Sequence, residues 1–118
     1  MILFEDRASA VLGKVLNVIE NKKFLLPLNI CSVVPNTLLK ANKEFDFIDV
    51  SLDTLCMNQD KVLKKIKEDN SVDGILFVKT FGVDLDIQPF YRKIKEINNN
   101  IFIIDDMCSC VPVFDNNI

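Results

Sequence analysis

The chain contains no histidine. That absence removes serine–histidine–aspartate triads, histidine-ligated zinc and imidazole acid–base chemistry in one step. Its four cysteines, Cys31, Cys56, Cys108 and Cys110, lack the paired C-x-x-C spacing of zinc ribbons and redox motifs. Three glycines and four prolines are scattered, so there is no low-complexity run and no linker. Neither a G-x-G-x-x-G fingerprint nor a P-loop occurs, which counts against nucleotide binding by the common routes. No apolar run approaches the roughly 20 residues of a membrane span, and no secretory leader is evident. Reduced thiols and a cytoplasmic location are therefore expected. An excess of positive charge is missing too. Fourteen basic residues face 17 acidic ones, for a net charge of −3, which argues against a nucleic-acid binder. Lys61, Lys64, Lys65 and Lys67 alternate with apolar positions and read as the solvated side of one helix.

What is present is an ordinary globular composition, 49% hydrophobic and 26% charged over 118 residues. A chain of this size can bury roughly two-thirds of its unfolded surface, so one domain spanning 1–118 is expected. Helix-like and strand-like segments alternate. Residues 8–20 show helical apolar spacing, with Asp6 as the expected N-cap. Residues 23–28 read as a strand ending at Pro27. Residues 32–42 suit a helix with Pro35 in its first turn, where a missing N–H does no harm. Strands are expected at 45–50, 74–78 and 101–105, and helices at 59–69 and 87–97. Strand ends near 27, 50, 78 and 105 recur at an interval of roughly 25 residues, the length of one βα unit. The expectation is a mainly parallel sheet with right-handed crossovers, inside a three-layer α/β/α sandwich.

The segment Ile101-Phe102-Ile103-Ile104-Asp105-Asp106 runs four apolar residues into two adjacent carboxylates. A short β-branched and aromatic run reads as a parallel strand, and open α/β sheets bind ligands at the carboxyl ends of their strands. A carboxylate there must face a cation, a metal or a protonated ring nitrogen, or else it is simply solvated at a loop. Receiver domains and haloacid-type phosphohydrolases also carry acids after a strand. Theirs follow the first strand, whereas this pair follows the last. Arg7-Ala8-Ser9-Ala10 opens a helix with small residues, where free N–H groups and the positive dipole end suit a phosphate, with Ser9 as an added donor; an ordinary first turn is the alternative. Phe77-Val78-Lys79-Thr80-Phe81-Gly82 marks another strand end, with Lys79 and Thr80 in reach of a ligand and Phe81-Gly82 making the turn. Cys108-Ser109-Cys110 could suggest a metal, but buried, inert thiols are the expectation.

Taken together these segments resemble the pyridoxal-phosphate-dependent sugar aminotransferases of the DegT/DnrJ/EryC1/StrS family, over nearly the whole chain. Leu25-Leu26-Pro27-Leu28-Asn29-Ile30-Cys31 is similar to the family's strand and following turn. Phe47-Ile48-Asp49-Val50, with Thr54-Leu55-Cys56-Met57-Asn58, resembles its next strand and loop. Val78-Lys79-Thr80-Phe81-Gly82-Val83-Asp84-Leu85-Asp86 and Ile103-Ile104-Asp105-Asp106-Met107-Cys108-Ser109-Cys110 resemble its third and fourth elements.

The resemblance implies part of a pyridoxal-phosphate transferase large domain. It assigns Asp106 to the protonated pyridine nitrogen, Ala8 and Ser9 to the cofactor phosphate, Cys31 to a face of the ring, and Ser109 to the place of a usual glutamine. Ala8-Ser9 stands where the family has Gly-Thr or Gly-Ser, and Lys79 where it has histidine. The family's cofactor-bonding lysine lies further downstream than the 12 residues that follow Asp106 here. The expected chain is thus the first part of a cofactor domain, without turnover of its own. Its parent would transfer an amino group to a nucleotide-linked keto-sugar in surface polysaccharide synthesis, as a homodimer, with no metal. A non-catalytic α/β association module that has lost the cofactor, and a phosphate-binding Rossmann-like domain, are the alternatives.

Overall fold

The computed structural model describes residues 2–112. Within them four helices alternate with four strands: α1 (Ala8–Val18), β1 (Lys23–Pro27), α2 (Val33–Lys40), β2 (Glu44–Ile48), α3 (Gln59–Glu68), β3 (Gly74–Val78), α4 (Gln88–Ile97) and β4 (Phe102–Asp106). The strands form one sheet in the order β2-β1-β3-β4, every pair parallel. The architecture is the α/β sandwich that the alternation predicts. Elements fall within about two residues of expectation, with β2 ending at Ile48 rather than at 50 and α1 at Val18 rather than at 20.

The two central strands have few polar positions. Phe24, Leu25 and Leu26 of β1 and Ile75, Leu76 and Phe77 of β3 are all buried, so both faces of the sheet need cover. One face packs Phe24, Leu26 and Leu76 against Leu16 of α1 and Leu38 of α2. The other packs Leu25, Ile75 and Phe77 against Val62 and Ile66 of α3 and Phe90, Tyr91 and Ile94 of α4. The chain steps from β1 outward to β2 over α2, then back across β1 to β3 over α3. Direction and face reverse together, which keeps one handedness at each crossover. That reversal leaves a crevice at the carboxyl ends of β1 and β3.

Caps follow local chemistry. The Asn58 side chain accepts the Lys61 N–H at 3.0 Å and opens α3. Pro89 stands in the first turn of α4, where Asp86 Oδ1 accepts the Gln88 N–H at 3.2 Å. The expected Asp6 cap is not formed. Arg7 holds the N-cap position of α1 without a side-chain cap bond; its carbonyl accepts the Ala10 N–H at 3.0 Å, and the Ala8 and Ser9 amides are left open.

The amino end of the sheet is charged. The Asp73 carboxylate accepts the N–H groups of Lys22 and Lys23, each at 2.8 Å, and Lys23 pairs with both Asp46 and Asp69. Lys65 of α3 joins the same two acids, so part of the solvated lysine face is an ion-pair network. Lys23, ahead of Lys65, holds the Asp46 carboxyl below the usual carboxylate range.

Gly74 begins β3 beneath the Phe24 ring, and a Cβ there would lie 2.4 Å from two ring carbons. Phe24 is fully buried and has no room to retreat. Gly74→Ala should destabilise the fold by about 1–3 kcal/mol, read as a lower urea midpoint at unchanged slope. A midpoint equal to that of the parent would contradict the close packing of β1 on β3.

Candidate functional site

Side chains alternate along β4. Ile104 joins the layer of α1 and α2, and Ile103 joins that of α3 and α4. The two carboxylates that look like one motif in sequence therefore belong to opposite faces of the sheet. Asp106 follows Ile104 and Asp105 follows Ile103.

On the first face a cavity of about 430 Å³ opens at the carboxyl end of the sheet. Its floor is Leu76 and Ile104, direct neighbours across β3 and β4. Its roof is α1, which contributes Ala8, Ser9, Leu12 and Val15 at helical spacing. Cys31, from the loop after β1, and Val34 of α2 close one side, while Asp106 and Cys108 close the other. The lining is apolar except for Ser9, Asp106 and the two thiols. Four of the five residues singled out from the sequence, Ala8, Ser9, Cys31 and Asp106, meet in this cavity although 98 positions separate the first from the last. Ser109 does not line it. It lies in the turn beyond β4, where its carbonyl oxygen would stand 2.8 Å from a Cβ on Gly82. Gly82 has φ 70° and Phe81 φ 55°, so the turn after β3 takes a left-handed path that only glycine adopts freely, and it abuts the turn after β4.

Asp106 is held in place. Its Oδ1 accepts the Cys108 N–H at 3.0 Å, and its carbonyl accepts the Lys79 N–H at 3.3 Å. The neighbouring Asp106 carboxylate, ahead of burial, raises the Cys108 thiol above its ordinary range, and the thiol sulfur lies 3.7 Å from the Ser109 hydroxyl. The expectation of buried, inert thiols after β4 needs correction: Cys108 and Cys31 are exposed, Cys110 is half-buried, and Cys56 alone of the four is buried. The 108–110 segment is a turn that leaves the sheet, so the burial of the strand does not extend to it. Cys108 is the cavity residue that sequence reasoning missed. Its two-residue spacing from Asp106 was a usable signal, because a residue two beyond a strand-end carboxylate is well placed to donate its N–H back to it.

On the opposite face a smaller hollow of about 200 Å³ is lined by Lys79, Asp84, Asp86, Gln88 and Asp105. Lys79 is thus away from the larger cavity, and among the described residues no lysine lines that cavity. No helix among the described residues is long and apolar enough to cross a membrane.

No protein-family model and no curated protein matches the chain. Solved structures do. The sugar aminotransferase CalS13 from Micromonospora echinospora superposes with a TM-score of 0.71 at 16% identity, over 82% of this chain and 28% of that one. A putative PLP-dependent aminotransferase from Bacillus cereus superposes at 0.75, with 19% identity, 92% of this chain and 30% of that one. A GDP-4-keto-6-deoxymannose-3-dehydratase with a trapped PLP-glutamate geminal diamine superposes at 0.67, with 19% identity, 93% and 29%. This chain therefore has the α/β fold found in part of these enzymes, and it spans less than a third of their length.

The contact between Asp106 and Cys108 has a measurable consequence. A neighbouring carboxylate disfavours the thiolate, so removing its charge must lower the thiol pKa. Asp106→Asn should speed alkylation of Cys108 by iodoacetamide near pH 8, with Cys31 on the same protein as reference. An unchanged rate would place the carboxylate elsewhere.

Proposed function

We propose that this chain is the cofactor-binding α/β portion of a pyridoxal-phosphate-dependent sugar-modifying enzyme. The observation that carries the reading is the cavity where the open amino end of α1, a cysteine after β1 and the strand-end Asp106 converge. The residues fit the group. The first-turn amides at Ala8 and Ser9, with the Ser9 hydroxyl, would hold the phosphate at the positive end of an 11-residue helix. Asp106 would pair with the protonated ring nitrogen, Cys31 would lie against a ring face, and Leu12, Leu76 and Ile104 would keep water from the ring. When bound, pyridoxal phosphate supplies an electron sink for a carbon that carries an amine. The task of Asp106 is to keep a proton on the ring nitrogen. Its Cys108 contacts hold the carboxylate in place for that task.

The parent reaction in this reading is amino transfer to a nucleotide-linked keto-sugar for surface polysaccharide, in the cytoplasm. It is supported by the company of sugar aminotransferases and a GDP-sugar dehydratase among the superposable structures. With Lys79 on the far face of the sheet and no lysine lining the cavity among the described residues, this chain binds the cofactor without bonding it and does not turn over.

A second copy of the chain is the proposed partner. Exposed apolar side chains stand in the segment after every strand: Leu28 after β1, Leu52 and Leu55 after β2, Phe81 after β3 and Val111 after β4. Parallel strands bring all of these to the cavity end of the sheet, and such a rim is what association hides.

Titration with pyridoxal phosphate should give saturable binding by absorbance. Asp106→Asn should weaken it by about 1.5–3 kcal/mol, roughly ten- to a hundredfold in Kd, and Asp105→Asn much less. Equal effects would remove Asp106 from its role. A single borohydride-reducible adduct on Lys79 would overturn the assignment of non-covalent binding. Sedimentation should find a dimer that Phe81→Asp disperses. A dimer that binds no cofactor would mark the chain as an association module instead, and a monomer would refute the partner.

A further inference from the structure

Tyr91 and Asp105 form a buried polar pair to which the cofactor reading assigns no task. Tyr91 is 1% exposed on α4, its ring set edge-on to Phe77 with centroids 6.1 Å apart and tilted against Phe90 at 6.0 Å. Neither its hydroxyl oxygen nor Asp105 Oδ1 completes a hydrogen bond of ordinary geometry among the described residues, although both atoms are shut away from water. Phe77 links the two: it is the direct neighbour of Asp105 across β3 and β4 and meets the Tyr91 ring edge-on. Burial first, then the Asp105 carboxylate, keeps the Tyr91 hydroxyl protonated far above its ordinary range. Cys56 also faces that hydroxyl from the loop after β2. A protonated hydroxyl beside a carboxylate is a donor beside an acceptor, and each group is the other's remedy for burial.

The location gives the pair a task. Among the described residues β4 is an edge strand, paired along one side only, and Asp106 is its last residue. The backbone tie there, from Lys79 N–H to the Asp106 carbonyl, is long at 3.3 Å. Adjacent side chains on a strand project to opposite faces, so any rotation of the backbone at Asp105 turns Asp106 with it. We propose that Tyr91 is a positioning residue, which holds Asp105 from the α4 side and thereby aims Asp106 into the cavity on the opposite face. Its service to catalysis rests on the reading of Asp106 as the partner of the ring nitrogen. The geometric lever does not.

The test uses the whole chain and needs no cofactor for its first readout. Tyr91→Phe keeps the packed ring and removes only the hydroxyl. The pH profile of Cys108 alkylation, followed by peptide mass against Cys31 on the same cavity, reports whether the Asp106 carboxylate still stands beside Cys108, whose N–H it accepts and whose thiol it raises. Tyr91→Phe should move that profile towards lower pH, in the direction of Asp106→Asn, and should raise the Kd for pyridoxal phosphate at least about threefold. Asp105→Asn retains an acceptor for the hydroxyl and should stay near the parent profile, whereas Asp105→Ala should follow Tyr91→Phe. A profile and Kd unchanged in Tyr91→Phe, with only the melting temperature lowered, would show the pair to be purely structural and overturn the proposal. A shifted profile in a chain that never binds pyridoxal phosphate would uphold the lever and remove the cofactor reading alone.

Discussion

Everything in this fold depends on burying β1 and β3 from both sides. Phe24, Leu25 and Leu26, and their counterparts Ile75, Leu76 and Phe77, leave these strands no face that tolerates water. A layer of helices on one side would leave the other exposed, so α1 and α2 must cover one face and α3 and α4 the other. Four helices can do that only if the chain reverses its direction across the sheet once. The reversal between β2 and β3 is the topological cost of a two-sided core, and the crevice it opens is where the cavity lies.

The two ends of the sheet then diverge in character. The amino end is closed by charge: Asp73 binds the amides that start β1, and two lysines share two aspartates around it. Such exposed pairs fix strand starts more than they add stability. The carboxyl end is closed by turns under backbone strain and carries exposed apolar side chains. Rigid strands that end in strained, apolar loops are the usual setting for ligand chemistry, because the scaffold fixes what the loops present.

Element order, parallel pairing and the three layers were legible in the sequence because each rests on local periodicity, with apolar runs of strand length alternating with helical spacing. The site was legible in part. Asp106 stood out because a carboxylate that closes an apolar run is conspicuous, and Ala8-Ser9 because small residues open a helix, and the fold brings them to one cavity. Ser109, assigned by resemblance, stands in the turn after β4 and not in the cavity lining, because a turn carries the chain away from the strand-end face. Cys108 was misjudged because an extended path was assumed through residues that bend. The Asp6 cap failed for a similar reason: the chain enters α1 one residue later, and which residue caps is settled by how the segment before the helix runs.

The sequence by itself determined the alternation of elements and the apolar runs that fill the central strands, because both rest on local periodicity, a property of the backbone and its side-chain pattern alone. Tertiary structure decided everything that requires distance across the chain. It brought Ala8, Cys31 and Asp106 to one cavity and sent Lys79 to the other face, and it gave Asp105 a tyrosine from α4 as its neighbour. The physical reason is that local periodicity sets the face a side chain presents, whereas the order in which strands assemble sets what that face meets. The order β2-β1-β3-β4 is fixed only when both faces of the central strands are covered together.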